Sequence, residues 1–262
     1  MQFEKISISV DAGLARLRFI DAARGNPMDG QLCSELLEAA IWLSERSDVR
    51  CVLMTAEGKA FSYGGDISAF VTQLDELPLN IKRWTTTLHS AIARFQRMDA
   101  PVVTAVHGIC TGGMAGFVAG SDIVLGSPGA RFIAAYAGIG YSCDAGSSIT
   151  ISRRMGPARA RKYLLLNETL DAGQALEAGL IDELVSEEDL LARAEAVAEQ
   201  LANGPTSAFG EIRRLLLSVQ DQPLETQLEL EAQALARIAK THDAREGLTA
   251  FMERRAPCFK GR

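Results

Sequence analysis

The chain has 262 residues, of which 47% are hydrophobic and 23% charged, enough for a sizeable core in an ordinary folded globular protein. Its formal charge of −6 leaves no basic excess to neutralise phosphates, which excludes nucleic acid as the main partner. Five cysteines (Cys33, Cys51, Cys110, Cys143 and Cys258) are odd in number, unclustered and partly set inside apolar runs, so free thiols in a reducing compartment are expected and no CxxC or HExxH spacing points to a metal. The opening MQFEKISISV carries no basic stretch ahead of a long apolar run, and no run approaches the ~18 residues of a membrane span. A cytoplasmic chain without signal peptide or membrane contact is expected.

Residues 6–10 and 14–20 alternate apolar with polar around Asp11-Ala12-Gly13, a hairpin pattern. After a loop at 24–28, Asp29-Gly30 opens a helix in which Leu32, Leu36, Leu37, Ala40 and Ile41 recur at helical spacing. Residues 51–55 (CVLMT) form a short apolar strand, followed by AEGKAFSYGGDISAF, with Gly64-Gly65 ahead of Asp66 and an apparent helix start that Asp66 would cap. Residues 75–80 read as a surface loop and 81–98 as an amphipathic helix. Val102, Val103, Ala105 and Val106, bounded by Pro101 and Gly108, read as a strand buried on both faces, and Gly112-Gly113 then leads into a helix. Two short β-like segments follow at 122–125 and 131–135. Beyond Gly156 the pattern is helical at 157–166, 171–178 and 190–202, the last ended by Asn203-Gly204-Pro205. Helices at 207–219, 223–239 and 243–254 have no strand to cover, so their apolar faces need each other or another subunit. The expected class is α/β, with a core over 1–204 and a C-terminal helical segment over 205–262.

The repeated motif carries the chemistry. A strand, a glycine turn and a helix start leave backbone N–H groups without partners, a setting for an oxygen that becomes negative during a reaction. Paired glycines also serve simply to let a helix pack against a strand. Two such turns after two buried strands would supply two donors to one point. The stretches GKAFSYGGDI (58–67), PVVTAVHGICTGGMAG (101–116) and EGLTAFMERRAPCFKGR (246–262) together resemble the crotonase (enoyl-CoA hydratase/isomerase) superfamily. The resemblance spans nearly the whole chain. It implies a spiral of repeated ββα units with a C-terminal helical trimerisation segment, a homotrimer or dimer of trimers, an acyl group carried as a coenzyme A thioester, and no permanently bound cofactor. It also implies that the N–H groups of Gly65 and Gly113 hold the thioester oxygen. Arg24, Asn26, Lys59, Ala60, Phe61, Tyr63, Gly64 and Asp66 fall where the family receives the coenzyme A nucleotide and pantetheine. Phe259 and Lys260 are further candidates to cover coenzyme A.

Family members differ in the side chains around the two donors, so the reaction is read from those. The hydratase branch uses two glutamates; the matching positions here are Gly116 and Tyr136, so two-glutamate hydration is not expected. In AYAGIGYSCDAGSS, Asp144 matches the catalytic aspartate of two other branches, ring-1,2-epoxyphenylacetyl-CoA isomerase and 4-chlorobenzoyl-CoA dehalogenase. Asp144 also precedes an apparent helix start, so N-capping is its alternative role. His89 has the spacing of the dehalogenase's water-activating histidine, and Tyr136 that of its tryptophan; a helix histidine is more often a packing or surface residue. His107 and Cys143 read as neighbours, and His242 and Trp84 carry no argument. The expected activity is an enoyl-CoA double-bond shift with Asp144 as general acid/base. A dehalogenase or other thioester hydrolase or lyase using Asp144 and His89, and a non-catalytic acyl-CoA-binding subunit, are the alternatives.

Overall fold

The structure, a computed structural model, describes residues 3–262. It begins with the expected hairpin, β1 (Ile6–Asp11) against β2 (Leu14–Phe19), turned by Ala12 and Gly13, which both take positive φ. Helix α1 (Gly30–Ser44) starts where Asp29 accepts a hydrogen bond from Leu32 N–H. On α1, Glu35 accepts from the N–H groups of Glu4, Lys5 and Ile6, which ties the first strand to the helix.

From there one unit repeats: a strand in a first sheet, a short strand in a second, then helix. The first round is β3 (Cys51–Ala56), β4 (Ala60–Ser62), α2 (Ile67–Val71) and α3 (Leu77–Arg97). The second is β5 (Val102–Val106), β6 (Ile109–Thr111) and α4 (Gly113–Ala119); the third is β7 (Ile123–Gly126), β8 (Arg131–Ile133) and α5 (Ser147–Met155). The chain continues through α6 (Pro157–Leu165), β9 (Thr169–Asp171), α7 (Ala172–Glu177), β10 (Glu183–Leu184) and α8 (Leu190–Ala202). It ends in α9 (Thr206–Ser218), α10 (Leu224–Ile238) and α11 (His242–Glu253). The larger sheet has the order β1-β2-β3-β5-β7-β10, parallel from β2 onward, and the smaller one β4-β6-β8-β9, with only β9 antiparallel. The expected α/β spiral of ββα units is therefore the observed one.

The parallel strands are apolar on both faces because both are covered. Met54, Val102 and Val106 point into the main core with α1 and α3, while Leu53, Val103 and Leu125 meet Leu190, Ala194 and Ala198 of α8 on the opposite face. No helix among the described residues is long and apolar enough to cross a membrane.

Four expectations are corrected. The loop at 75–80 gives way to α3, which begins at buried Leu77 with Pro78 in its first turn, where a missing N–H costs nothing. Residues 60–62 and 109–111 belong to strands of the smaller sheet rather than to turns alone. Residues 169–171 form β9 ahead of α7, whose start at Asp171 and Gln174 is a reciprocal capping box. The C-terminal helices are not all without a core to cover: α9 is locked onto the end of α3 by Arg213. Its buried guanidinium donates to the carbonyls of Phe95 (2.7 Å), Ala100 (3.0 Å) and Met98 and to Asp122 (2.9 Å), satisfying carbonyls that the helix end leaves open. Helices α10 and α11 leave large apolar side chains open to solvent, among them Leu235, Leu248 and Phe251, and α9 leaves Ile212 and Leu216.

Candidate active site

The two glycine turns meet. Gly64, with φ +78°, lies so close to β6 that a methyl group on it would come within 2.8 Å of Thr111 O, and its own carbonyl accepts from Met28 N–H at 2.7 Å. Ser62 Oγ donates to Asn26 O (2.6 Å) and accepts from Gly64 N–H (3.1 Å), so the strap is held from both sides. In the second turn Gly112 takes φ +57°, ψ −127°, a conformation reserved for glycine, and its N–H donates to Ile133 O. Gly113 is then the first residue of α4. Gly65 and Gly113 line one cavity of about 240 Å³, and neither N–H has an acceptor among the described residues.

Asp144 lines the same cavity and is its one carboxylate among the described residues. It does not cap α5. The capping position falls to Gly146, and the segment Asp144-Ala145-Gly146 instead makes a tight turn in which Ser147 N–H donates to Asp144 O at 2.8 Å. Ala145 (φ +50°) and Gly146 (φ +76°) are both left-handed; for alanine that costs about 1–2 kcal/mol. The carboxylate sits against the second glycine: a methyl group on Gly113 would lie 2.9 Å from Asp144 Oδ1. Tyr136, which follows β8, donates its hydroxyl to that same Oδ1 at 2.9 Å and lies 2.9 Å from Ser147 Oγ. Burial, reinforced by the Asp144 charge, pushes the Tyr136 phenol far up, so it remains a donor.

Gly116 shows why no carboxylate stands on α4. A Cβ there would meet Ser147 Oγ at 2.0 Å and Ser147 Cα at 2.9 Å, because α4 and α5 pack glycine to serine.

The remaining wall is apolar, built by Met28, Cys33, Phe70, Trp84, Leu88 and Tyr141. Phe70 stacks on Trp84 with ring centres 6.1 Å apart, and Tyr141 lies 6.3 Å from Phe70. Burial, with the Asp29 and Asp144 charges, pushes the Cys33 thiol up to about 12, which keeps it protonated and unreactive. Sequence reasoning missed this wall, Trp84 included. The available signal was Ile81, Trp84 and Leu88, spaced along one face of α3 and all turned into the cavity.

The structure separates the other candidates. His89, an exposed residue of α3, does not line the cavity; its Nε2 accepts a hydrogen bond from Ala145 N–H at 3.0 Å. Asn26, Ala60 and Phe61 are buried and do not line the cavity. Asn26 Nδ2 donates to the carbonyls of Glu57, Ala60 and Phe61, and Phe61 packs edge-on against Phe19. Arg24 is shared by Asp21, Asp29 and Asp66, so its charge is already answered within the chain. Asp66 does cap α2, accepting from Ala69 N–H at 3.0 Å. Tyr63 and Gly64 line the cavity, and Lys59 is exposed. Lys260 borders a different cleft beside Arg46, Arg94 and Thr206, and Phe259 packs over Gly247 of α11.

A spiral of two sheets, two glycine turns facing one cavity and a single carboxylate beside them define an acyl-CoA enzyme of the crotonase type, and comparison with known proteins agrees. Residues 9–262 match the enoyl-CoA hydratase/isomerase family, to which this chain belongs. It is 30% identical to 1,2-epoxyphenylacetyl-CoA isomerase of Escherichia coli (strain K12), over 99% of both chains. It is 32% identical to 4-chlorobenzoyl coenzyme A dehalogenase-1 of Arthrobacter sp., over 94% of this chain and 90% of the relative. A solved structure described as an enoyl-CoA hydratase/isomerase from Mycobacterium abscessus superposes with a TM-score of 0.91 at 32% identity, covering 98% of this chain and 100% of that one.

Proposed function

We propose that this enzyme shifts a double bond in an enoyl-CoA, with Asp144 as the general acid/base and the N–H groups of Gly65 and Gly113 as the oxyanion hole. The observation that carries the reading is the single carboxylate set against Gly113 and held by the Tyr136 hydroxyl. Asp144 takes the C2 proton of a 3-enoyl-CoA, and the electron pair spreads into a dienolate whose charge rests on the thioester oxygen. Two backbone donors stabilise that oxygen, each contributing about 2.7–4 kcal/mol of barrier lowering. The protonated Asp144 then returns the proton to C4, leaving a 2-enoyl-CoA. One carboxylate suffices because the proton leaves and returns to the same group. Hydration by two acids would need a second one, and the Gly116 position has no room for it.

The reading is supported by the similarity to an isomerase along the whole chain. Hydrolysis through an aspartyl ester, the chemistry suggested by the dehalogenase relative, would ask His89 to activate water. The Nε2 lone pair of His89 is engaged by Ala145 N–H, which disfavours that role. Residues 205–262 serve, in the same reading, as an oligomerisation segment that makes a homotrimer or a dimer of trimers.

Incubation with a 3-enoyl-CoA in D₂O, and separately with 4-chlorobenzoyl-CoA in H₂¹⁸O, tests the proposal. The expected product is the 2-enoyl isomer, with no chloride released from the second substrate. A 3-hydroxyacyl-CoA as first product, or ¹⁸O in Asp144 after one turnover, would contradict it.

A further inference from the structure

The geometry points to His89 as a positioning residue that holds the Asp144 turn in its working shape; this rests on Asp144 being the acid/base. The carboxylate sits against Gly113 at the start of a turn in which Ala145 and Gly146 both adopt left-handed backbone, a conformation alanine does not choose by itself. Something outside the turn must therefore fix it. Ser147 N–H closes the turn from within, onto Asp144 O. The one bond to the Ala145 N–H comes from another element, His89 Nε2 at 3.0 Å. Ala145 itself is fully buried, and its methyl lies 3.3 Å from the position of a Cβ on Gly113, so a movement of this residue moves the carboxylate relative to the second donor.

The placement of His89 follows from the helix. Thr85 and Leu88 on α3 line the cavity, and His89 stands one turn beyond Thr85, past the cavity wall and level with the loop. Helix α3 thus shapes the substrate wall and anchors the acid/base with neighbouring residues. An acceptor at Nε2 means an imidazole whose Nε2 carries no proton, the neutral form with its hydrogen on Nδ1. The role needs an acceptor atom at this place and does not need proton transfer, which separates it from a water-activating base.

The test compares His89→Leu, His89→Gln and Asp144→Asn with the wild type. His89→Leu should lower kcat at least tenfold with the acyl-CoA Kd within threefold, and should speed hydrogen exchange of the Ala145 amide. His89→Gln offers an amide oxygen to the same N–H and should bring both kcat and Ala145 protection back to within threefold of wild type. Unchanged kcat in His89→Leu, or unchanged Ala145 exchange, would overturn the inference. A His89→Gln enzyme as slow as His89→Leu while Ala145 stays protected would overturn it as well, since the histidine would then be moving a proton. Full activity in Asp144→Asn would sink the acid/base reading instead, and the anchor would still stand or fall on the exchange rate.

Discussion

The absence of a carboxylate on α4 is a matter of space as much as of chemistry. Gly116 faces Ser147 across the α4–α5 contact, and Ser147 in turn meets the Tyr136 hydroxyl that holds Asp144. One small residue therefore makes room for the contacts among Ser147, Tyr136 and Asp144. Gly116→Ala should destabilise the protein by about 1–3 kcal/mol through overpacking, read as a lower thermal midpoint; an unchanged midpoint would show that α5 gives way freely. Tyr136→Phe removes a hydrogen bond to a charged group, about 1.5–3 kcal/mol, so kcat should drop ten- to a hundredfold with substrate affinity preserved. Activity equal to wild type would mean that the hydroxyl does not orient the carboxylate. At this scale the sequence singled out Asp144, Gly65 and Gly113 through the motif resemblance, and the three line one cavity. It did not disclose that Asp144 leaves the cap to Gly146, because that depends on the left-handed Ala145, to which no local propensity points. Nor does it show that Asn26, Ala60 and Phe61 are buried, since the motif they share with exposed Lys59 and Tyr63 marks position along the chain and not exposure.

Among the elements, α9 departs most from expectation. An amphipathic helix beyond the last strand has no visible partner in sequence, yet Arg213 joins it to Phe95, Met98, Ala100 and Asp122, contacts more than ninety residues away along the chain. Arg213→Leu leaves those groups unpaired and should cost about 3–5 kcal/mol, read by thermal unfolding at matched protein concentration; a midpoint within about 2 °C of wild type would contradict this. The strands were legible because parallel strands buried on both faces are continuous apolar runs, whereas β4, β6 and β9, three residues each, are too short to show a period. The C-terminal tail has a pH-dependent tie. Arg255, together with Cys258 N–H, holds the Glu246 carboxyl down at about 2. Since this folded value lies below the unfolded one of about 4.3, the tie is complete above that range and is lost as pH falls toward about 2. Protection of the Cys258 amide, relative to its intrinsic exchange rate, should decline across that window; protection that persists below pH ~2 would contradict the assignment.

In the whole molecule, three rounds of strand, strand and helix bring two glycine turns, far apart in sequence, to the same cavity. That convergence was visible in sequence only through the resemblance of the motifs, since neither turn by itself says where the other lies. The open apolar side chains of α10 and α11, with Leu235 and Leu248 both 72% exposed and Phe251 80% exposed, are the surface on which the proposed trimer would close. Light scattering should give three or six times the 28.2 kDa chain mass, and a stable folded monomer at micromolar concentration would contradict it. The most direct test of the account as a whole is the kinetics of Asp144→Asn on a 3-enoyl-CoA. The asparagine keeps the shape and can still accept from Tyr136, but its amide is too weak a base to take the C2 proton, so kcat should fall at least ~100-fold, the span of general acid–base catalysis, with acyl-CoA affinity unchanged. Isomerisation at the wild-type rate in this variant would contradict the account.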